Sequence, residues 1–233
     1  MASASTYKFG KKAGKKEKTP EQRIKERLDT MTSIFKPKGK IRSSLDVGCA
    51  DAVITQGIAE AYGISQVYGN DVRPATEFKQ PTKFSHIVYR QTIDNTIDIP
   101  THSVDLVTCF VVMHHFDDFD KMMTEICRIL KPRGYFYFRE HDVDVNDMSV
   151  ETYTLDGKPI TTTKKDFLDQ MHAQWEDHCV GCPINYFSRL GLKDKLEKNY
   201  AFRHLADSDY TSKDPKIPVK NPQALYHSLY LKL

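Results

Sequence analysis

The chain is predicted to be α/β, a doubly wound, mostly parallel sheet with helices on both faces. Three observations predict it. A short apolar strand, Ser44–Val47, runs into a turn at Gly48 and then a helical segment. A second strand, Gln66–Asn70, leads directly to an acid, Asp71, in the strand–turn–helix–strand–acid order that holds a nucleoside in parallel sheets. Finally, strands and helices alternate, and Ser103–Val111 is long, β-branched and continuous, as expected when helices cover both faces of a strand.

The elements follow in order. Residues 1–20 are rich in Lys, Gly and Ser and are expected to be disordered. Ile24, Leu28, Met31 and Phe35 share one helical face, with Thr19 as N-cap and Pro20 in the first turn. A helix over Ala52–Tyr62 ends at Gly63, and Ser85–Arg90 reads as the third strand. Phe119–Leu130 carries a full apolar stripe, capped by Asp117 or Asp118 and ended by Lys131–Gly134, before a fifth strand at Tyr135–Arg139. Beyond Asp142 the pattern loosens. Lys164–Asp177 and part of Ile184–Leu192 read as helical, Asp207–Pro222 as a long loop, and Ala224–Leu233 as a closing strand.

Composition sets limits. The 233 residues suit a disordered basic arm, 1–18, and a single domain, 19–233, whose cofactor-binding half is about 41–142. No apolar run reaches the length of a membrane span, and the N-terminus has no apolar signal core, so an intracellular, cytoplasmic chain is expected, with the nucleus left open. Five cysteines are an odd number, and Cys109 and Cys127 sit in apolar patterns, which indicates reduced core thiols. The net charge of +3 conceals an asymmetry: residues 1–43 hold 13 Lys/Arg against 4 Asp/Glu, and the remainder holds 21 against 27. The basic arm either contacts a polyanion such as RNA or serves as a solubilising tail.

The glycine turn narrows the ligand. Ala50 and Ala52 stand where a dinucleotide loop has glycines, and no Gly-Lys-Ser/Thr follows. A turn with one close backbone approach suits a nucleoside without phosphates, which favours S-adenosylmethionine over NAD or ATP.

Four segments in register carry a resemblance: LDVGCADA (45–52), VYGNDV (67–72), IDIPTHSVDLVTCFVVMHHF (97–116) and EICRILKPRGYFYFREHD (125–142). Over roughly Ile41–His141 the chain resembles class I S-adenosylmethionine-dependent methyltransferases, including small-molecule and RNA cap-guanine members. The resemblance implies a seven-stranded Rossmann-like fold and S-adenosylmethionine as cofactor. It places Asp46, Gly48, Cys49, Ala50, Asp71, Val72, Asp94, Asn95 and Phe110 around that cofactor. Asp46 either lies near the cofactor's amino-acid portion or pins the turn. Asp71 either accepts both ribose hydroxyls or caps a loop. Asn95, beside Asp94, matches the position that meets the adenine amine.

The acceptor is expected above the carboxyl ends of the fourth and fifth strands, near His114, His115, Glu140 and His141. His114, Glu140 and His141 are the catalytic candidates, against the alternative that these side chains form a structural network. Strand alternation would send Glu140 and Asp142 to one side and Arg139 and His141 to the other. Methyl transfer from a sulfonium needs alignment more than a base, so a catalytic dyad is not required. No metal centre is expected: His172, His178, Cys179 and Cys182 lack a second cysteine pair and regular spacing. The motifs of exocyclic-amine, cytosine-C5 and ribose methyltransferases are absent. RNA, with cap guanine favoured, is the first expected acceptor; a small molecule, or a binding-only chain without catalysis, are the alternatives.

Overall fold

The computed structural model describes residues 18–78, 86–155, 157–175, 184–208 and 225–233. Helix α1 (Pro20–Ile34) opens with a reciprocal capping box in which the Thr19 hydroxyl accepts from Gln22 N and the Gln22 side chain accepts from Thr19 N. Strand β1 (Ser43–Val47) leads through the glycine turn into α2 (Val53–Tyr62), which Gly63 ends in the left-handed region. Strand β2 (Gln66–Asp71) pairs parallel with β1, and β3 (Ile87–Ile93) pairs parallel with β2. Two residues, β4 (Thr96–Ile97), fold back antiparallel on β3.

Strand β5 (Val104–Phe110) lies parallel to β1, followed by α3 (Phe119–Ile129), N-capped by Asp118, and β6 (Leu130–His141), parallel to β5. A hairpin, β7 (Val150–Leu155) and β8 (Lys158–Thr163), runs into α4 (Lys164–Trp175). Helix α5 (Arg189–Asn199), β9 (Phe202–Asp207) and β10 (Leu225–Lys232) complete the described chain.

The main sheet has the order β4-β3-β2-β1-β5-β6-β10-β9, with β10 antiparallel to both of its neighbours. Strand order reverses direction beside β1, so the crevice outside the carboxyl ends of β1, β2 and β5 is the ligand position of an open α/β sheet. Helices cover both faces, and α3 and α5 bury Met123, Ile126 and Leu196 against Val107, Phe136 and Phe138. On the other face α1 and α2 bury Met31, Phe35 and Ile58 against Leu106 and Tyr137. The two helices approach closely at Gly57, where an added Cβ would stand 2.6 Å from the Ile24 side chain. A third, smaller core (Val143, Tyr153, Phe167, Leu168, Met171 and Tyr186) belongs to the hairpin and α4.

The α/β class is as the sequence predicts, with differences of detail. The main sheet has eight strands instead of seven, because the turn at Asp94 and Asn95 (φ 49° and 59°) returns Thr96–Ile97 onto the edge of β3. The Lys131–Gly134 segment bulges within β6: Val104 pairs with Leu130 and Leu106 with Tyr135. The region that looked loose past Asp142 contains the β7–β8 hairpin. Its signal was Asp156-Gly157 between Thr- and Tyr-rich runs, with Gly157 at φ 80°. Ile184–Ser188 is extended, and the helix starts only at Arg189 because Ser188 caps it. The expected disordered arm at 1–17 and most of the expected loop at 207–222 lie outside the described residues.

Candidate active site

The cofactor side is assembled at the carboxyl edge of β1 and β2. Gly48 has φ 70°, and an added Cβ would stand 2.4 Å from Val112 of the β5 exit, so only glycine lets the two turns meet. Asp46 is buried; it accepts from Thr55 Oγ1 at 2.6 Å and Thr108 Oγ1 at 2.7 Å, tying β1 to α2 and β5. Burial pushes its carboxyl up to about 6, against the pull of the two hydroxyls. Cys49 N donates to Asn70 O at 2.8 Å, and burial pushes the Cys49 thiol up, so it stays protonated and packs against Gly69.

Asp71 is the organising acid. Its Oδ2 accepts from Ala50 N at 3.1 Å, and its Oδ1 accepts from Arg73 N at 3.1 Å and Arg73 Nε at 3.3 Å. Three donors occupy most of the roughly four lone-pair directions of a carboxylate, so a ribose diol fits when Arg73 Nε yields its place. Val72, 68% exposed beside this acid, supplies apolar surface for a purine face. Phe110 ends β5 half-buried, its ring 5.8 Å from Tyr137, while Asp94 and Asn95 sit at the tip of the β3–β4 turn. These residues fit an adenosine-type cofactor without phosphates. They would hold S-adenosylmethionine, whose sulfonium supplies an already activated methyl group.

Ala50 and Ala52 adopt φ 47° and 56°, a region that L-residues enter at a cost of roughly 1–2 kcal/mol. The Ala50→Gly variant is therefore expected to gain about 1 kcal/mol, a rise of about 2–4 °C in Tm for a chain of this size, readable by thermal melting.

Sequence reasoning missed two supports of this edge. Arg23 of α1 binds Asp51 through two hydrogen bonds of 2.5 and 3.0 Å, clamping the helix to the glycine turn. Thr55 and Thr108 complete the Asp46 network. Neither set has a sequence signal, since each contact joins residues of different elements.

The acceptor side lies at the ends of β5 and β6, where the structure gathers His114, His115, Glu140 and His141. Glu140 is buried and accepts from four donors: Val112 N at 2.9 Å, Met113 N at 2.7 Å, His114 Nδ1 at 2.7 Å and His141 N at 3.2 Å. Burial alone would raise its carboxyl, but His114 together with His141 and the Met113 amide holds it down at about 2. Burial holds the His141 imidazole down at about 3, so it is neutral. The His114 ring lies 4.0 Å from His115 and 5.2 Å from His141, centroid to centroid.

One expectation is corrected here: His141 joins Glu140 at His114 instead of following Arg139. Arg139 is the last β6 residue paired with β5, opposite Phe110, and it lies in the field of Arg27 of α1. Strand β5 ends at that pair while β10 still pairs with Glu140 and His141, which stand past the end of β5, where His114 lies. The structure also adds His172 of α4, whose ring stacks 5.0 Å from His114, and Tyr186, whose hydroxyl is 2.8 Å from His172 Nδ1. His172, which stands near the Cys-x-x-Cys in sequence, thus meets His114 and His141, while His178, Cys179 and Cys182 lie outside the described residues. Among the described residues no helix is long and apolar enough to cross a membrane.

Comparisons with known proteins agree with this architecture. Residues 45–138 match the family model described as a methyltransferase domain. An uncharacterized methyltransferase of Bacillus subtilis, YcgJ, is 31% identical over 70 residues, 30% of this chain and 28% of that protein. The human thiol S-methyltransferase TMT1A is 27% identical over 109 residues, 45% of this chain and 44% of its own length. The matched segments thus span less than half of either relative. An S-adenosylmethionine-dependent methyltransferase structure from Mesorhizobium loti superposes with a TM-score of 0.62 at 15% identity, covering 88% of this chain and 97% of that one. Residues 45–138 thus carry a match to a methyltransferase domain, on a fold shared with S-adenosylmethionine-dependent methyltransferase structures.

Proposed function

We propose that this chain transfers the methyl group of S-adenosylmethionine to RNA, with a guanine ring nitrogen of the 5′ cap as the favoured acceptor. The observation that carries this reading is where the basic arm attaches. Arg23, in the first turn of α1, binds Asp51 of the glycine turn, whereas Phe35 at the other end packs 5.0 Å from Tyr135 near the start of β6. Helix α1 therefore runs against the strands, and its N-terminus, which follows the six lysines of residues 1–18 in sequence, lies at the ligand edge of the sheet. A ring nitrogen carries its own lone pair. This suits a site whose one buried carboxylate, Glu140, is already saturated by four donors and is not poised to take a proton.

The residues divide the work. Asp71 and the glycine turn orient the nucleoside, the β5 exit shapes the methyl-facing wall, and the β7–β8–α4 lobe covers the acceptor side and excludes water. A second reading, methylation of a small thiol, draws on the similarity to human thiol S-methyltransferase.

A labelled-methyl assay on capped RNA, uncapped RNA and a small thiol separates the readings. Counts on capped RNA alone are expected. Deleting residues 2–18 should weaken RNA binding and lower the slope of log K against log salt by up to about 4, the share of six lysines on a single strand. Transfer to the thiol alone, or RNA affinity unchanged by the deletion, would overturn the RNA reading. Cofactor binding without any transfer would leave a binding-only chain.

A further inference from the structure

We propose that His114, His141 and His172 form a binding site for one divalent transition-metal ion, with zinc as the best-suited ion. The site would fasten the β7–β8–α4 lobe to the main sheet. The three side chains come from three elements: the β5 exit, the end of β6, and α4. One nitrogen from each lies within 4.8 Å of the others, and all three residues are buried, at 2%, 5% and 2% exposure. Imidazole is a ligand for zinc, copper, iron and nickel, and three histidines with an open fourth position are an established zinc donor set.

The surroundings orient the ligands as a metal requires. The Glu140 carboxylate can only accept, so His114 donates Nδ1–H to it at 2.7 Å and turns Nε2 inward. Tyr186 Oη lies 2.8 Å from His172 Nδ1 and directs that ring in the same way. A carboxylate or hydroxyl behind each imidazole is the outer-shell pattern of metal-bound histidines.

The nitrogens themselves supply a second, independent indication. His114 Nε2 and both ring nitrogens of His141 are buried without a hydrogen-bond partner. Unpaired buried polar atoms are costly, and one such nitrogen on each of two neighbouring rings calls for an occupant between them. The ring of His115 lies 4.0 Å from that of His114 and 5.5 Å from that of His172, so it walls the site. The adjoining cavity, lined by Glu140, Asn185 and Phe187 among others, has a volume of about 10 Å³. That is room for one water as fourth ligand. Tetrahedral zinc with Zn–N near 2.0–2.1 Å spaces its donors about 3.3 Å apart, so the histidines close in by up to about 1.5 Å on binding.

The lobe has its own small core, separate from the cores of the sheet, and a metal bond from α4 to the ends of β5 and β6 would fix it over the acceptor side. The inference stands apart from methyl transfer, because its readouts are binding and stability.

The test uses the full-length, tag-free chain after chelator treatment. Zinc titration is expected to give one site per chain. At a hundredfold excess over Kd it should raise Tm by about 5–10 °C. Cobalt should give the intense visible bands of a tetrahedral site. His172→Gln and His141→Gln should each weaken binding at least tenfold, while Cys179→Ser/Cys182→Ser should leave it unchanged. No zinc bound to the folded wild-type chain would overturn the site, and so would loss of binding only in the cysteine variant. If a histidine variant misfolds, the cobalt spectrum of the wild type decides: bands assignable to nitrogen ligands support the site, and thiolate charge-transfer bands overturn it.

Discussion

Replacing Asp71 with alanine is expected to raise the dissociation constant for S-adenosylmethionine by at least about 100-fold and to leave the fold intact. Two effects combine. The ribose hydroxyls lose a charged acceptor, and each hydrogen bond to a charged group contributes roughly 1.5–3 kcal/mol. The glycine turn also loses its tether, because Ala50 N donates to Asp71 Oδ2 at 3.1 Å. The fold survives because Asp71 ends β2 at the carboxyl edge of the sheet, outside the three hydrophobic cores. Calorimetry with the cofactor, alongside a thermal melt, reads both results. Asp71→Asn should fall between wild type and alanine, since the amide oxygen can keep the Ala50 contact while the charge is lost. Unchanged affinity in Asp71→Ala would show that the nucleoside sits elsewhere.

Removing the Glu140 carboxylate is expected to cost the most stability. In Glu140→Ala, the amides of Val112, Met113 and His141 and the Nδ1–H of His114 lose their common acceptor inside the protein. A buried donor left without its acceptor costs about 1–3 kcal/mol, and four that share one acceptor lose about 3–5 kcal/mol once the site relaxes. For this length that is a fall in Tm of about 6–20 °C. Glu140→Gln should rescue only part, because its amide NH2 would face two donors, His114 Nδ1–H and His141 N.

The pH dependence follows from the same site. Glu140 titrates near 2 in the folded chain, against 4.5 ordinarily. Its stabilisation is complete above about pH 4.5 and is lost as pH falls toward 2, since only the unfolded chain takes up the proton in that window. His141, held near 3 against 6.5, acts earlier: the unfolded chain gains its proton below pH 6.5 while the folded chain does not, so stability declines from there. Denaturant midpoints from pH 7 to pH 3 should show both limbs in wild type. Glu140→Ala should lose the lower one.

Much of this molecule is legible in its sequence because the relevant physics is local. Thr19 caps a helix through its own next turn, Gly63 ends one, and the β-branched run at Val104–Phe110 announces a strand buried on both faces. Gly48 and Asp71 mark the nucleoside edge because each acts within one strand–turn–helix unit. Between Asp142 and Lys164 the sequence carries a local hairpin signal of the same kind in Asp156-Gly157.

The acceptor side was only half legible. His114, Glu140 and His141 stand at strand ends, where ligands gather, but nothing in their spacing says that Glu140 serves four donors or that the His114 and His141 rings meet. His172 is 31 residues past His141 and was read with its near neighbours. Only the packing of α4 onto the sheet sets it 5.0 Å from His114.

By itself, then, the sequence determined the α/β class, the glycine turn and the acid that ends β2 beside it, since propensity, capping and strand patterning act over a few residues. The tertiary structure alone decided the histidine cluster, the role of Glu140 and the sheet edge at which α1 begins. Those depend on contacts between elements brought together by core burial, and chain separation carries no record of them.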